Sequence, residues 1–127
     1  MSLETRLSAF ITALGADIKL LKLSNTGTTS SATPTPTGFA QNNQYNLTAL
    51  ATAPTFAVPS GTPVDGNTLI IRIKDNGTAR ALAFNAIYRA VGVVLPTTTV
   101  INKTMYIGAR YNAADSKWDV LSVAREA

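Results

Sequence analysis

The chain has 127 residues, a net charge of +4 from 11 Lys and Arg against 7 Asp and Glu, and neither cysteine nor histidine. That length supports one hydrophobic core with a short appendage. The missing residue types remove disulfides, thiolate metal sites, cysteine nucleophiles and the commonest general base, so the expectation is a protein that is not an enzyme and holds no cofactor or metal.

The basic residues are scattered singly instead of forming a stripe, which argues against nucleic acid as a partner. The opening Met1-Ser2-Leu3-Glu4-Thr5-Arg6 lacks the basic and apolar regions of a secretory signal, and nothing approaches 18 uninterrupted apolar residues. A soluble chain made in the cytoplasm, with no membrane insertion, is the expectation.

In chain order, Ser2 to Lys22 reads as a helix capped by Ser2. Leu7, Ile11, Leu14, Ile18 and Leu21 recur at alternating spacings of four and three, a heptad seam that Leu3 and Phe10 widen. Two placements satisfy it: a helix folded back onto its own domain, or a short oligomeric bundle. An isolated helix of this length is marginal in water, and Gly15 costs it about 1 kcal/mol more. Ile11 and Ile18 at a with Leu14 and Leu21 at d lean toward two strands in a long parallel coil. Residues 1–23 are therefore assigned as an oligomerisation or anchoring helix.

Residues 24–38, from Ser24 to Gly38, contain no large apolar side chain, and their Thr-Pro alternation predicts an extended, semi-stiff linker between two folded parts. Residues 39–127 read as a β-module. Gln44–Ala51, with Tyr45, Leu47 and Ala49 on one face, and Thr55–Val58 are short strands, and Pro59 to Gly66 is a loop. Thr68 to Lys74 alternates strictly, with Leu69, Ile71 and Ile73 inward. Asp75-Asn76-Gly77 then predicts a tight hairpin onto Ala79–Asn85. Ile87–Val91 and Thr97–Ile101 follow, and Thr104–Tyr111 and Lys117–Ala124 flank a hairpin loop at Asn112–Ser116. The fold class is mainly β, a β-sandwich of jelly-roll-like type behind one N-terminal amphipathic helix.

Little chemistry accompanies this architecture. Asp65, Asp75 and Asp115 fall in turns, where Asp bonds local backbone, and Asp119 and Glu126 read as surface residues. Gly61-Thr62-Pro63 puts a proline where a phosphate cradle needs N–H groups. Trp118, Tyr106 and Tyr111 fit either a core or a sugar-binding platform; core is the expectation, above all for Trp118.

The runs Leu69-Ile70-Ile71-Arg72-Ile73-Lys74-Asp75-Asn76-Gly77-Thr78-Ala79-Arg80-Ala81-Leu82, Asn85 to Val93, Leu95-Pro96-Thr97-Thr98-Thr99 and Tyr111 to Val120 resemble a C-terminal β-module of tailed-bacteriophage virion proteins, mostly tail-fibre-like. Leu3 to Leu7 with Gly15 to Lys19 resembles the short helices of phage fibre proteins, which are usually trimeric. The resemblance implies a small homotrimeric fibre or capsid-decoration protein, located in the virion, with other capsid or tail proteins as partners. The alternative it leaves open is a receptor- or glycan-binding module facing a host-surface glycan, which needs exposed aromatic and polar groups in loops such as Val58 to Asn67.

Overall fold

In the computed structural model, which describes every residue from Met1 to Ala127, helix α1 spans Leu3–Leu21. Ser2 caps it, its Oγ accepting the Thr5 N–H at 3.1 Å, and Glu4 and Lys19 sit at the ends that the helix dipole favours. Lys22 is the only residue between α1 and strand β1, Leu23–Thr28. The remaining strands are β2 (Asn42–Leu50), β3 (Thr55–Phe56), β4 (Thr68–Asp75), β5 (Ala83–Phe84), β6 (Tyr88–Ala90), β7 (Met105–Asn112) and β8 (Lys117–Arg125).

Six of these strands form one mixed sheet in the order β1-β2-β4-β7-β8-β6, and β3 pairs with β5 in a small second sheet. Together they give a mainly β, sandwich-like module. The hairpin expected around Asn112–Ser116 is present, with β7 and β8 antiparallel. Elsewhere the pairing departs from the hairpin pattern of a jelly roll, because β1–β2, β2–β4 and β6–β8 are parallel.

The hairpin expected at Asp75-Asn76-Gly77 does not form. The turn itself is there, with Gly77 at φ 95° and its N–H donating to Asp75 Oδ1 at 3.0 Å. Both edges of β4, however, are already taken by β2 and β7. The chain therefore leaves the sheet, and Ala83–Phe84 pairs in parallel with Thr55–Phe56. Thr97–Ile101 likewise contributes only an isolated bridge from Thr98 to Ala81.

The linker expected over 24–38 is corrected more thoroughly. Its first residues belong to β1, paired with β2 from Leu23↔Asn42 to Thr28↔Leu47. The Thr-Pro stretch then lies along the segment containing β3. Thr55, Ala57 and Ser60 donate their N–H groups to the carbonyls of Ala32, Pro34 and Pro36, and Gly38 donates to Ser60. Pro34, Pro36, Gly38 and Ala40 are buried while Thr33 and Thr35 are exposed, a period-two pattern with the prolines inward. A residue in a parallel ladder points its N–H and C=O to the same side, so each proline supplies only an acceptor and the ladder stays half-formed. The stretch is extended, as expected, but it is part of the module.

The chain thus winds in successive turns. Each places one length in the large sheet (β1, β2, β4) and one in the opposite layer (32–38, 54–60, 83–85), joined to its neighbours by parallel hydrogen bonds. The core fills the space between the layers: Tyr45 and Leu47 from β2, Leu69, Ile71 and Ile73 from β4, Met105 and Ile107 from β7, and Trp118 and Val120 from β8 meet Phe56 and Leu82. Phe56 stacks on Phe84 at 5.0 Å, and Tyr88 closes the cluster edge-on, donating its hydroxyl to Ala57 C=O at 2.9 Å. On β2 the expected inward Ala49 is replaced by Leu50, because the register with β4 shifts between Leu47 and Leu50.

Candidate association and binding surfaces

Every residue of α1 is exposed. The seam residues Leu7, Ile11, Leu14, Ile18 and Leu21 lie between 46% and 67% accessible, and Leu3 and Phe10 are open beside them. The helix is fixed to the module only at its base, where the Gln41 N–H donates to Leu20 C=O at 2.9 Å and the Lys19 ammonium sits 5.5 Å above the Phe39 ring. It does not fold back over the β-module. Leu20 and Leu21 line a groove of about 400 Å³ with Phe39, Val64 and Arg110, so the apolar stripe of the helix runs onto the module, where Val64 is 58% exposed.

The loop from Val58 to Asn67 does not gather an aromatic cluster. Its inner end is structural: Asn67 is buried and its Nδ2 donates to the carbonyls of Gly38 and Phe39. Buried Asn43 holds the same stretch from the other side, donating to Ala40 C=O at 2.7 Å and Thr68 C=O at 2.9 Å while accepting the Ala40 N–H. Two core amides therefore clamp residues 38–40, each satisfied as a buried polar group must be.

The aromatic residues separate by environment. Trp118 is buried, as expected, and Tyr111 packs against it with ring centres 5.2 Å apart. Tyr106, near the start of β7, is 42% exposed on the open face of the large sheet. Its register partners are Arg72 on β4 and Ala124 on β8.

The carboxylates serve structure. Burial alone would push the Asp75 carboxyl up, but the Asn102 N–H, the Thr99 hydroxyl and the Gly77 N–H donate to it and hold it below the usual carboxylate range. Two of these donors come from more than twenty residues away, so Asp75 ties the end of β4 to the loop before β7 as well as closing its own turn. Asp65 accepts the Ala113 N–H at 2.9 Å, a distant partner and not a local turn. Asp119, expected at the surface, is half-buried. Arg89 donates to both its oxygens and to Asp115, lowering the Asp119 carboxyl and raising the guanidinium. Glu126 is exposed and held low by the Thr104 N–H.

No group of three or more Asp and Glu side chains is placed to hold a metal ion, and no helix is long and apolar enough to cross a membrane. What the structure brings together is an uncovered helix seam at one end and an open polar sheet face beside it. Set against known proteins, the chain matches no family, no characterised sequence and no solved structure.

Proposed function

We propose that the chain is a non-enzymatic structural protein of a tailed-phage virion, a small trimeric fibre or decoration protein on the surface of head or tail. The observation that carries the oligomeric part is the uncovered helix. Apart from its base at Lys19 to Leu21, a helix of nineteen residues with a continuous apolar stripe is left uncovered by its own module, and an isolated helix of this kind is marginal in water. Copies of the same seam supply the missing surface, and the stripe is self-complementary in a parallel bundle.

Three copies fit better than two because the stripe is wide. Leu3 and Phe10 flank the a and d positions, and a helix in a trimer meets two neighbours instead of one. The continuation of the stripe into the groove at Val64 extends the same interface to the base of each module. The virion assignment rests on the resemblance of Leu69 to Val120 to phage particle proteins, with other capsid or tail proteins as the surfaces on which the assembly docks.

Sedimentation equilibrium on the full chain tests the assembly: three times the 13.4 kDa chain mass is expected at micromolar concentration. Leu14→Asp together with Ile18→Asp is expected to give a monomer whose β-module melts unchanged. A monomeric parent chain overturns the trimer, and absence of the chain from purified particles overturns the virion role.

A further inference from the structure

The open face of the six-stranded sheet carries a trough that the structural role does not use. Three shallow grooves of about 500, 260 and 430 Å³ follow one another across the strands. The first is lined by Asn25, Asn46, Thr48 and Arg72, and it shares Thr48 and Arg72 with the second, which adds Lys74, Thr104 and Tyr106. The third shares Thr104 and Tyr106 and adds Arg125 and Glu126. The trough therefore crosses β1, β2, β4, β7 and β8. At about 4.8 Å per strand spacing this is about 19 Å, the length of roughly four sugar residues in a linear chain.

Its chemistry is specific. The amides at the β1 end are ordered in advance, with Gln44 donating to Asn46 at 2.9 Å and Asn46 donating to Asn25 Oδ1 at 2.7 Å and to Thr26 C=O at 3.0 Å. In the middle, Arg72 stands directly opposite Tyr106 in the β4–β7 register with Lys74 next to it, and neither cation belongs to an ion pair of the chain. Glu126, the only acid of the trough, accepts the Thr104 N–H and lies near enough to Lys103 and Lys74 for their charges to help hold its carboxyl low, which leaves Arg72 as the cation with no acidic neighbour in the trough.

We infer that this trough binds a linear acidic oligosaccharide. The Tyr106 ring offers a flat apolar surface to one face of a sugar, Arg72 and Lys74 offer charge-assisted donors to a carboxylate, and the amides and hydroxyls address ring oxygens and hydroxyl groups. A protein partner is disfavoured, since the trough has no apolar pocket to take an anchoring side chain. A single-stranded nucleic acid is disfavoured too, because it calls for a run of stacking rings and a continuous basic groove, and here there is one ring and a short cationic stretch.

The test applies the full-length chain to an array of linear oligosaccharides containing uronate or sialate residues, their neutral counterparts, and an oligothymidylate. Binding is expected to the acidic sugars, weakening as salt is raised. Arg72→Gln and Tyr106→Ser, both on the solvent face, are expected to lower that affinity about tenfold or more with unchanged melting. Amide shifts in a titration with a bound uronate tetrasaccharide are expected along β2, β4 and β7. The inference is overturned if no acidic sugar binds, if neutral counterparts bind equally well, if the oligothymidylate is preferred, or if both variants bind like the parent.

Discussion

Replacing Pro34 and Pro36 with Gly separates a packed segment from a tether. Both rings are buried against the core side of the second layer, and each substitution removes three methylenes at about 0.8 kcal/mol apiece. Greater freedom of the unfolded chain adds about 1 kcal/mol per site. Each glycine also restores an N–H on the side facing residues 54–60, where an acceptor recovers part of the loss. The pair should therefore cost about 4 to 6 kcal/mol. For a module of about 100 residues this lowers Tm by roughly 15 to 30 °C. The neighbouring exchange Thr33→Ser with Thr35→Ser touches outward positions and should stay within about 0.5 kcal/mol. Thermal melts followed by far-UV circular dichroism read both. Equal melting of the proline and threonine variants would refute the packed arrangement and restore a free linker.

Three further outcomes rest on the same packing. Trp118→Ala, which empties a site enclosed by Tyr111 and Gly38, should cost about 3 to 5 kcal/mol in urea unfolding. Gly27→Ala should loosen β1, because a Cβ there runs into the backbone of Asn46 at a φ of 152°; faster amide exchange at Asn46 with the β4 amides unchanged is the expected signature. Asp75, Asp119 and Glu126 are all held below their ordinary values in the folded chain, so their stabilisation is complete above about pH 5, begins to fall as pH drops through the ordinary carboxylate range, and is lost through the depressed values. Melting between pH 6 and 2 should show this loss, and Asp75→Asn should flatten the acid limb.

The parts of the fold that follow from local patterns were legible in the sequence. The helix from its seam and Ser2 cap, β4 from Leu69, Ile71 and Ile73, and the β7–β8 hairpin from its five-residue loop all appear close to their expected places. What escaped was partner choice. A turn signal such as Asn76-Gly77 specifies a reversal, but it says nothing of whether the adjoining strand edge is free, and β4 had none to offer. Parallel neighbours leave no local mark, since their connections run through another layer. The Thr-Pro stretch carried a readable cue, the alternation of a small apolar ring with a polar side chain, masked by the usual association of proline with solvated spacers. For the open face, Tyr106 lies between Met105 and Ile107 and so takes the side opposite to those two core residues, a phase that its aromatic character masked, and the register places it against Arg72.

The single residue between α1 and β1 also has a mechanical meaning. Lys22 leaves no slack, so a pull on the helix is delivered at once to the outermost strand of the sheet. β1 is held laterally by β2 alone over six residues, whereas β2 and β4 are bonded on both sides. Under load the edge strand is the element that should give first, lengthening the connection by the residues it releases while the inner strands stay folded. Such a chain would behave as a strain limiter: stiff at rest, yielding by one strand, and able to re-form when the force is removed.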